Sequence, residues 1–321
     1  MKPITHTPKR RTTQQIAPNS PTEALEAAQA ALLARYAPNA RIRRIRWSQG
    51  TTQLFELGAG PPLLLVHGAL ASAFYWAPIL PALARNHRVL AFDLPGHGLA
   101  DPFDYTGVDP HDHASTLLRD ILDALELRTV DVVANSMGGL WSAAFALGTR
   151  HRVSRLALVG APAGVTRSVP FELRLLGLPL IGQPLGRRLM SGQSREGNRR
   201  FWGQLLVVHP EHLDDTLLDA DIEHARRNIG SMLSFVRGIA GVRGLRRHLI
   251  LGEHWQELTV PTLLLCGERD RFISAQGWRF WEAIAAHNPR VRVIRVPDAG
   301  HLPWLDDAER IVEEIERFLV A

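Results

Sequence analysis

The 321-residue chain has one cysteine, Cys266, and two lysines, Lys2 and Lys9. A single cysteine excludes an internal disulfide and a zinc site built on several thiolates. Its place in the apolar run Val260–Cys266 reads as a buried structural thiol. With lysine confined to the first nine residues, every later basic residue is arginine, which we read as a composition bias. Uninterrupted apolar stretches of membrane-spanning length are lacking too. The 28 residues Leu57–Ala84 carry no Lys, Arg, Asp or Glu, but their glycines and prolines break them into a strand, a turn and a helix. Arg10-Arg11 is followed by the polar Thr12–Asn19 and not by an apolar segment, so it does not read as a twin-arginine signal. A soluble, cytoplasmic protein without stable membrane association is the expectation.

The charge is 37 Lys+Arg against 32 Asp+Glu, a formal net charge of +5. Lys2, Lys9, Arg10 and Arg11 all precede the first acid, Glu23, so the excess sits mostly in a basic tail on a nearly neutral body. That distribution argues against a nucleic-acid-binding face. Hydrophobic content of 45% with 21% charged residues excludes wholesale disorder.

Residues 1–19 read as a flexible basic tail. Ser20-Pro21-Thr22-Glu23 is a capping box that opens a helix ending near Tyr36. Short apolar strands then alternate with amphipathic helices through residue 162 and again over residues 256–321. This pattern predicts an α/β fold with a mainly parallel sheet covered by helices on both faces. Residues 163–255 interrupt it with helical patches, at Phe171–Leu176, Arg199–Val207, Leu213–Arg227 and Ser231–Ile239, and with no strand. An all-helical insertion between strands of a parallel sheet lies over the carboxyl edge, where ligands bind, so 163–255 reads as a cap.

Ala134-Asn135-Ser136-Met137-Gly138-Gly139 follows one expected strand and opens the next helix. A serine on such a tight strand–turn–helix is forced outward at the sheet edge, and small residues at 134 and 138 let strand and helix approach. The Met137 N–H at the helix start points where an oxyanion would form, and the Ala69 N–H, after His67-Gly68, is expected as the second donor. Asp270 and His301 each follow a later strand, so Ser136, Asp270 and His301 reach one edge in the order nucleophile, acid, base. Asp270 is preferred to Glu268, and Asp93 is expected to tie down its own loop. His67 and His97 read as loop anchors. Asp109-Pro110-His111-Asp112 reads as a helix cap, and His209 and His212 lack further ligands at metal spacing.

With His67-Gly68, Asp93–Gly98, the Ser136 elbow, Asp270 and Gly300-His301 in register, the chain resembles the α/β-hydrolase family with an inserted helical cap. The resemblance covers about residues 41–320. It implies hydrolysis of an acyl-type bond without metal or organic cofactor. The leading expectation is a serine hydrolase acting on a carboxylic ester of a small, largely apolar substrate, as a monomer or homodimer. One alternative is a carbon–carbon hydrolase of ring-cleavage products. Such relatives share the Asn-Ser-Met-Gly-Gly elbow, but here the loop after His67-Gly68 is not Gly/Pro-rich and Leu302, not Trp, follows His301. The other alternative is a hydrolase-fold binding or signalling protein. Deleting residues 1–19 is expected to leave turnover of soluble esters unchanged, as measured by initial rates on the truncated and full chains.

Overall fold

Strands form where apolar runs of four to seven residues alternate their side chains between two covered faces. In a computed structural model, which describes residues 20–149, 151–178, 180–190 and 194–320, eight strands make one sheet. The tail expected over 1–19 lies outside the described residues. The strands are β1 (Arg41–Trp47), β2 (Gly50–Leu57), β3 (Pro62–Val66), β4 (Arg88–Phe92), β5 (Val130–Ala134), β6 (Val153–Val159), β9 (Thr262–Gly267) and β10 (Val291–Val296); a short hairpin, β7 and β8, is described below. Their order is β1-β2-β4-β3-β5-β6-β9-β10, with β2 antiparallel to both neighbours and the rest parallel.

Alternation along the strands builds two cores. Leu64, Val66, Leu90, Phe92 and Leu264 pack on one face, under α3 (Pro110–Ala124), α4 (Ser136–Gly148) and α9 (Ala275–His287). Leu63, Leu65, Val89, Ala91 and Leu265 pack on the other, under α1 (Pro21–Tyr36), the single turn α2 (Leu80–Leu83) and α11 (Ala308–Val320), which follows the short α10 (Pro303–Asp306). The helix expected at the end of Leu57–Ala84 is only the single turn α2, preceded by a 3-10 turn, Ala73–Trp76. Pro78 and Pro81 remove the amide donors a continuous helix needs there. Helix α3 begins at Pro110, with Asp109 accepting from the His111 and Asp112 amides.

Between β6 and β9 lie α5 (Phe171–Leu176), α6 (Gly182–Met190), α7 (Arg195–Leu205) and α8 (Asp215–Ile239). Two helical patches expected separately, around 213–227 and 231–239, are one 25-residue helix, α8. Gly230 does not break it, because burial of Ile222, Ala225, Met232 and Phe235 outweighs the ~1 kcal/mol that a glycine costs a helix. The segment is not wholly helical: β7 (Ala240–Gly241) pairs with β8 (Gly244–Leu245), where Gly244 takes φ +91°. Among the described residues no helix is long and apolar enough to cross a membrane.

Helix α8 meets the sheet edge through histidines. His224 Nδ1 accepts from the Gly98 amide at 3.1 Å, and the His224 ring stacks on His97, which lies 5.6 Å from His67. Burial lowers His97 to about 4; burial and the neighbouring His97 lower His224 to about 3; His67 also falls well below its ordinary value, through burial. The unfolded chain therefore takes up these protons first, near pH 6.5, so the stability they represent is complete above that pH and is lost as pH falls. We expect calorimetric Tm to drop from pH 7 to 4.5, as the unfolding free energy falls by at most about 1.4 kcal/mol per pH unit for each titrating histidine. His224→Gln should flatten that slope.

Candidate active site

The sheet order reverses around β3: the crossover from β3 leads to β4 on one side, and the one from β4 passes back to β5 on the other. Side chains beyond the carboxyl ends of β3 and β5 share the crevice this reversal creates. Ala134 ends β5, Asn135 stays extended, and Ser136 opens α4 in the left-handed region at φ 52°. The turn closes through the Asn135 amide on Val66 O at 3.0 Å and the Ala163 amide on Ser136 O at 3.0 Å. A Cβ on Gly138 would lie 2.5 Å from both the Val66 and His67 carbonyl oxygens, so only glycine lets α4 start this close to β3. A Cβ on Gly68 would meet Asn135 Oδ1 at 2.7 Å and Ser136 Cβ at 2.9 Å. The loop after β3 is thus pressed against the serine.

Asp270 follows β9 and is buried; Glu268, its rival, is exposed. His301 follows β10, and its Nδ1 lies 3.0 and 2.9 Å from the two Asp270 oxygens. Asp270 also accepts from the Ala161 and Phe272 amides, each at 2.8 Å. Burial alone would push its carboxyl up; the His301 charge and hydrogen bond, with those two amides, hold it below its ordinary value. A carboxylate on Nδ1 fixes the tautomer that leaves Nε2 able to accept a proton. The Phe272 ring stacks on His301 at 3.9 Å between centroids, which restrains the imidazole from its face.

Ser136, Met137, Ala69 and His301 line one cavity of about 610 Å³, roofed by α5, α7 and α8. Among the described residues the Ser136 hydroxyl makes no hydrogen bond; it shares the cavity wall with His301. A serine hydroxyl, an imidazole held by a carboxylate and two backbone amides on one wall can together deprotonate a nucleophile and hold an oxyanion.

Asp93 does more than tie its own loop. Its carboxylate accepts from Leu99 N, but also from Ser72 Oγ and Ala73 N beyond the β3 loop. His67 donates through Nδ1 to Gly68 O and accepts through Nε2 from Leu94 N; His97 Nδ1 lies 3.0 Å from Pro95 O. His209 and His212 stack on each other, and His209 pairs with Glu211 and Asp298. Cys266 is buried, and its thiol donates to Asp270 Oδ2 at 3.4 Å.

Sequence reasoning missed a polar group on the cavity wall. Asp221 of α8 accepts from Tyr75 Oη, and from Asn198 Nδ2 and Trp202 Nε1 at 2.9 Å each. All four residues line the cavity, and burial pushes the Asp221 carboxyl up. The available signal was an acid on the apolar stripe of α8, one turn beyond Leu217 and Leu218.

A sequence model of the alpha/beta hydrolase family matches residues 63–314. The chain is 43% identical over 141 residues to a 2-hydroxy-6-oxo-2,4-heptadienoate hydrolase of Pseudomonas putida, covering 42% of this chain and 48% of that one. It is 29% identical over 229 residues to a 2-hydroxy-6-oxononadienedioate/2-hydroxy-6-oxononatrienedioate hydrolase of Cupriavidus pinatubonensis, covering 68% of this chain and 74% of that one. A carboxylesterase structure from Bacillus subtilis superposes with a TM-score of 0.74 at 20% identity, over 93% of this chain and 98% of that one, a likeness of fold.

Asn135 is buried, and its Nδ2 donates to Val159 O at 2.7 Å and to His301 O at 3.1 Å, joining the elbow to the histidine loop. Asn135→Ala removes that donor from two carbonyls. We expect it to cost about 2 kcal/mol of stability, read as a lower urea midpoint with unchanged slope.

Proposed function

Because the chain belongs to the alpha/beta hydrolase family and is a hydrolase, we propose that it cleaves carboxylic esters with a neutral, largely apolar acyl group through an acyl-enzyme on Ser136. The observation that carries this reading is the cavity. Its walls are mostly leucine, valine, alanine and aromatic side chains, and Ser136 and His301 sit on them together. In this reading Ser136 Oγ attacks the ester carbonyl while His301 Nε2 takes its proton, and Asp270 stabilises the resulting imidazolium. The tetrahedral oxyanion is held by the Ala69 and Met137 amides. His301 then gives the proton to the departing alkoxide, leaving an alcohol and the acyl-enzyme. A water, deprotonated by His301, attacks the acyl carbon in turn; the acid departs and Ser136 regains its proton.

Asp221 supports a neutral acyl group, since a buried carboxyl group on the wall disfavours a substrate that brings a second carboxylate inside. Arg188 also lines the cavity, but at its exposed outer end. The second reading is carbon–carbon hydrolysis of a dienoate. The activities of the two relatives support it, as does the run Asn135-Ser136-Met137-Gly138-Gly139, which resembles the elbow of ring-cleavage-product hydrolases.

p-Nitrophenyl esters from acetate to palmitate, followed at 405 nm on the wild type and Ser136→Ala, test the proposal. The wild type is expected to turn over several of them with an optimum short of palmitate, and Ser136→Ala to lose about 10⁴-fold or more in kcat. Bleaching of a 2-hydroxy-6-oxo-dienoate, with no ester turned over, would establish the second reading instead.

A further inference from the structure

Four large apolar side chains stand out from the cap: Phe171 is 65% exposed, Leu180 89%, Ile181 54% and Val242 70%. They belong to one region. Helix α5 packs on α6 and on the β7–β8 hairpin, whose tip carries Val242. The approach is tight: a Cβ on Gly177 would lie 2.6 Å from Ala240 O, and one on Gly182 would lie 2.0 Å from Leu176 O. Soluble surfaces carry scattered apolar residues, but a cluster of this kind is a contact site.

Its charge has one sign. Across residues 171–190 and 237–248, seven arginines stand against a single acid, Glu172. That acid is half-buried and lies 3.7 Å from Arg271. Arg188, Arg243, Arg246 and Arg247 are exposed. Exposed apolar side chains beside these four exposed arginines match a surface that is anionic outside and apolar just beneath, into which arginine stems can lie while their heads stay at the charged layer.

The region also rims the cavity. Leu173, Leu176, Leu185 and Arg188 line it from α5 and α6, while Phe171, Leu180, Ile181 and Val242 do not. The four are therefore free of any duty inside. From the exposed cluster, its uniform charge and its place on the helices that line the cavity, we infer that the tip of the cap docks reversibly on an anionic lipid surface, with the mouth of the cavity facing the lipid. An apolar ester then reaches Ser136 from the lipid without crossing water. The delivery rests on the ester reading; the docking does not.

Flotation of the full chain with vesicles of phosphatidylcholine containing phosphatidylglycerol, and with phosphatidylcholine alone, tests the docking. The wild type is expected to float with the anionic vesicles at low salt, to float far less with phosphatidylcholine alone, and to be released by 0.5 M salt. Leu180→Ser/Ile181→Ser and Arg243→Gln/Arg247→Gln are each expected to weaken binding about tenfold or more while leaving turnover of a water-soluble ester unchanged. The basic residues near the N-terminus are common to all three proteins. Wild type that stays unbound, or variants that float as well as it does, would overturn the inference. So would a wild type that elutes as a dimer and does not float, beside a monomeric Leu180→Ser/Ile181→Ser, which would give the patch to a second copy of the chain. Absence of ester turnover would strike the ester reading alone, since flotation does not depend on it.

Discussion

The approach of helix α4 to strand β3 governs the site. Ser136 occupies a left-handed backbone conformation that costs a non-glycine residue about 1–2 kcal/mol. Three features hold it there: the Val66 and Ala163 hydrogen bonds, the missing side chain at Gly138, and the missing side chain at Gly68. Were either glycine larger, α4 would retreat from β3. Ser136, which opens that helix, would move with it. Local strain at Ser136 is thus balanced by contacts made by its neighbours, and the hydroxyl inherits its position from them.

Three buried carboxyl groups surround this arrangement, and they differ in what meets them. Asp93 is met by a serine hydroxyl and two amides and Asp221 by phenol, amide and indole donors; burial wins at both, and both are pushed up. Asp270 alone faces an imidazole, and it alone of the three is pushed down. Neutral donors suffice to seat a carboxyl group in the interior, as Asp93 does in joining two loops. At Asp270 the His301 charge and hydrogen bond, with two amides, outweigh the same burial.

Much of this was legible along the chain. Strands β4 and β6 are legible because a strand covered on both faces writes itself as a largely apolar local run, whereas β1 and β10, at the two edges of the sheet, interleave arginines with apolar residues. The elbow was legible for the same reason: its requirement for small residues is local. What the sequence concealed depends on distant partners. The continuity of α8 past Gly230 is decided by what its inner face meets. The β7–β8 hairpin is too short to show a period. The partnership of Cys266 with Asp270 spans one turn of loop whose path no pattern reveals, and Phe272 looks like any loop aromatic until its ring lies on His301. Asp221 seemed one more acid on a helix, since its donors come from α7 and from the turn after β3.

Helix α8 has a further consequence through what it leans on. Its length rests against α1, fastened by Arg35 to Asp214 at one end and by Arg227 to Thr22 farther along. The roof over Ser136 is therefore a lean-to, propped along one wall by α1, with α5 and α6 lying against it. Headroom above the serine is fixed by the propped side, whose displacement would pull α1 off the sheet. The height of the chamber above the serine is therefore inherited from the frame and not set by the cap alone.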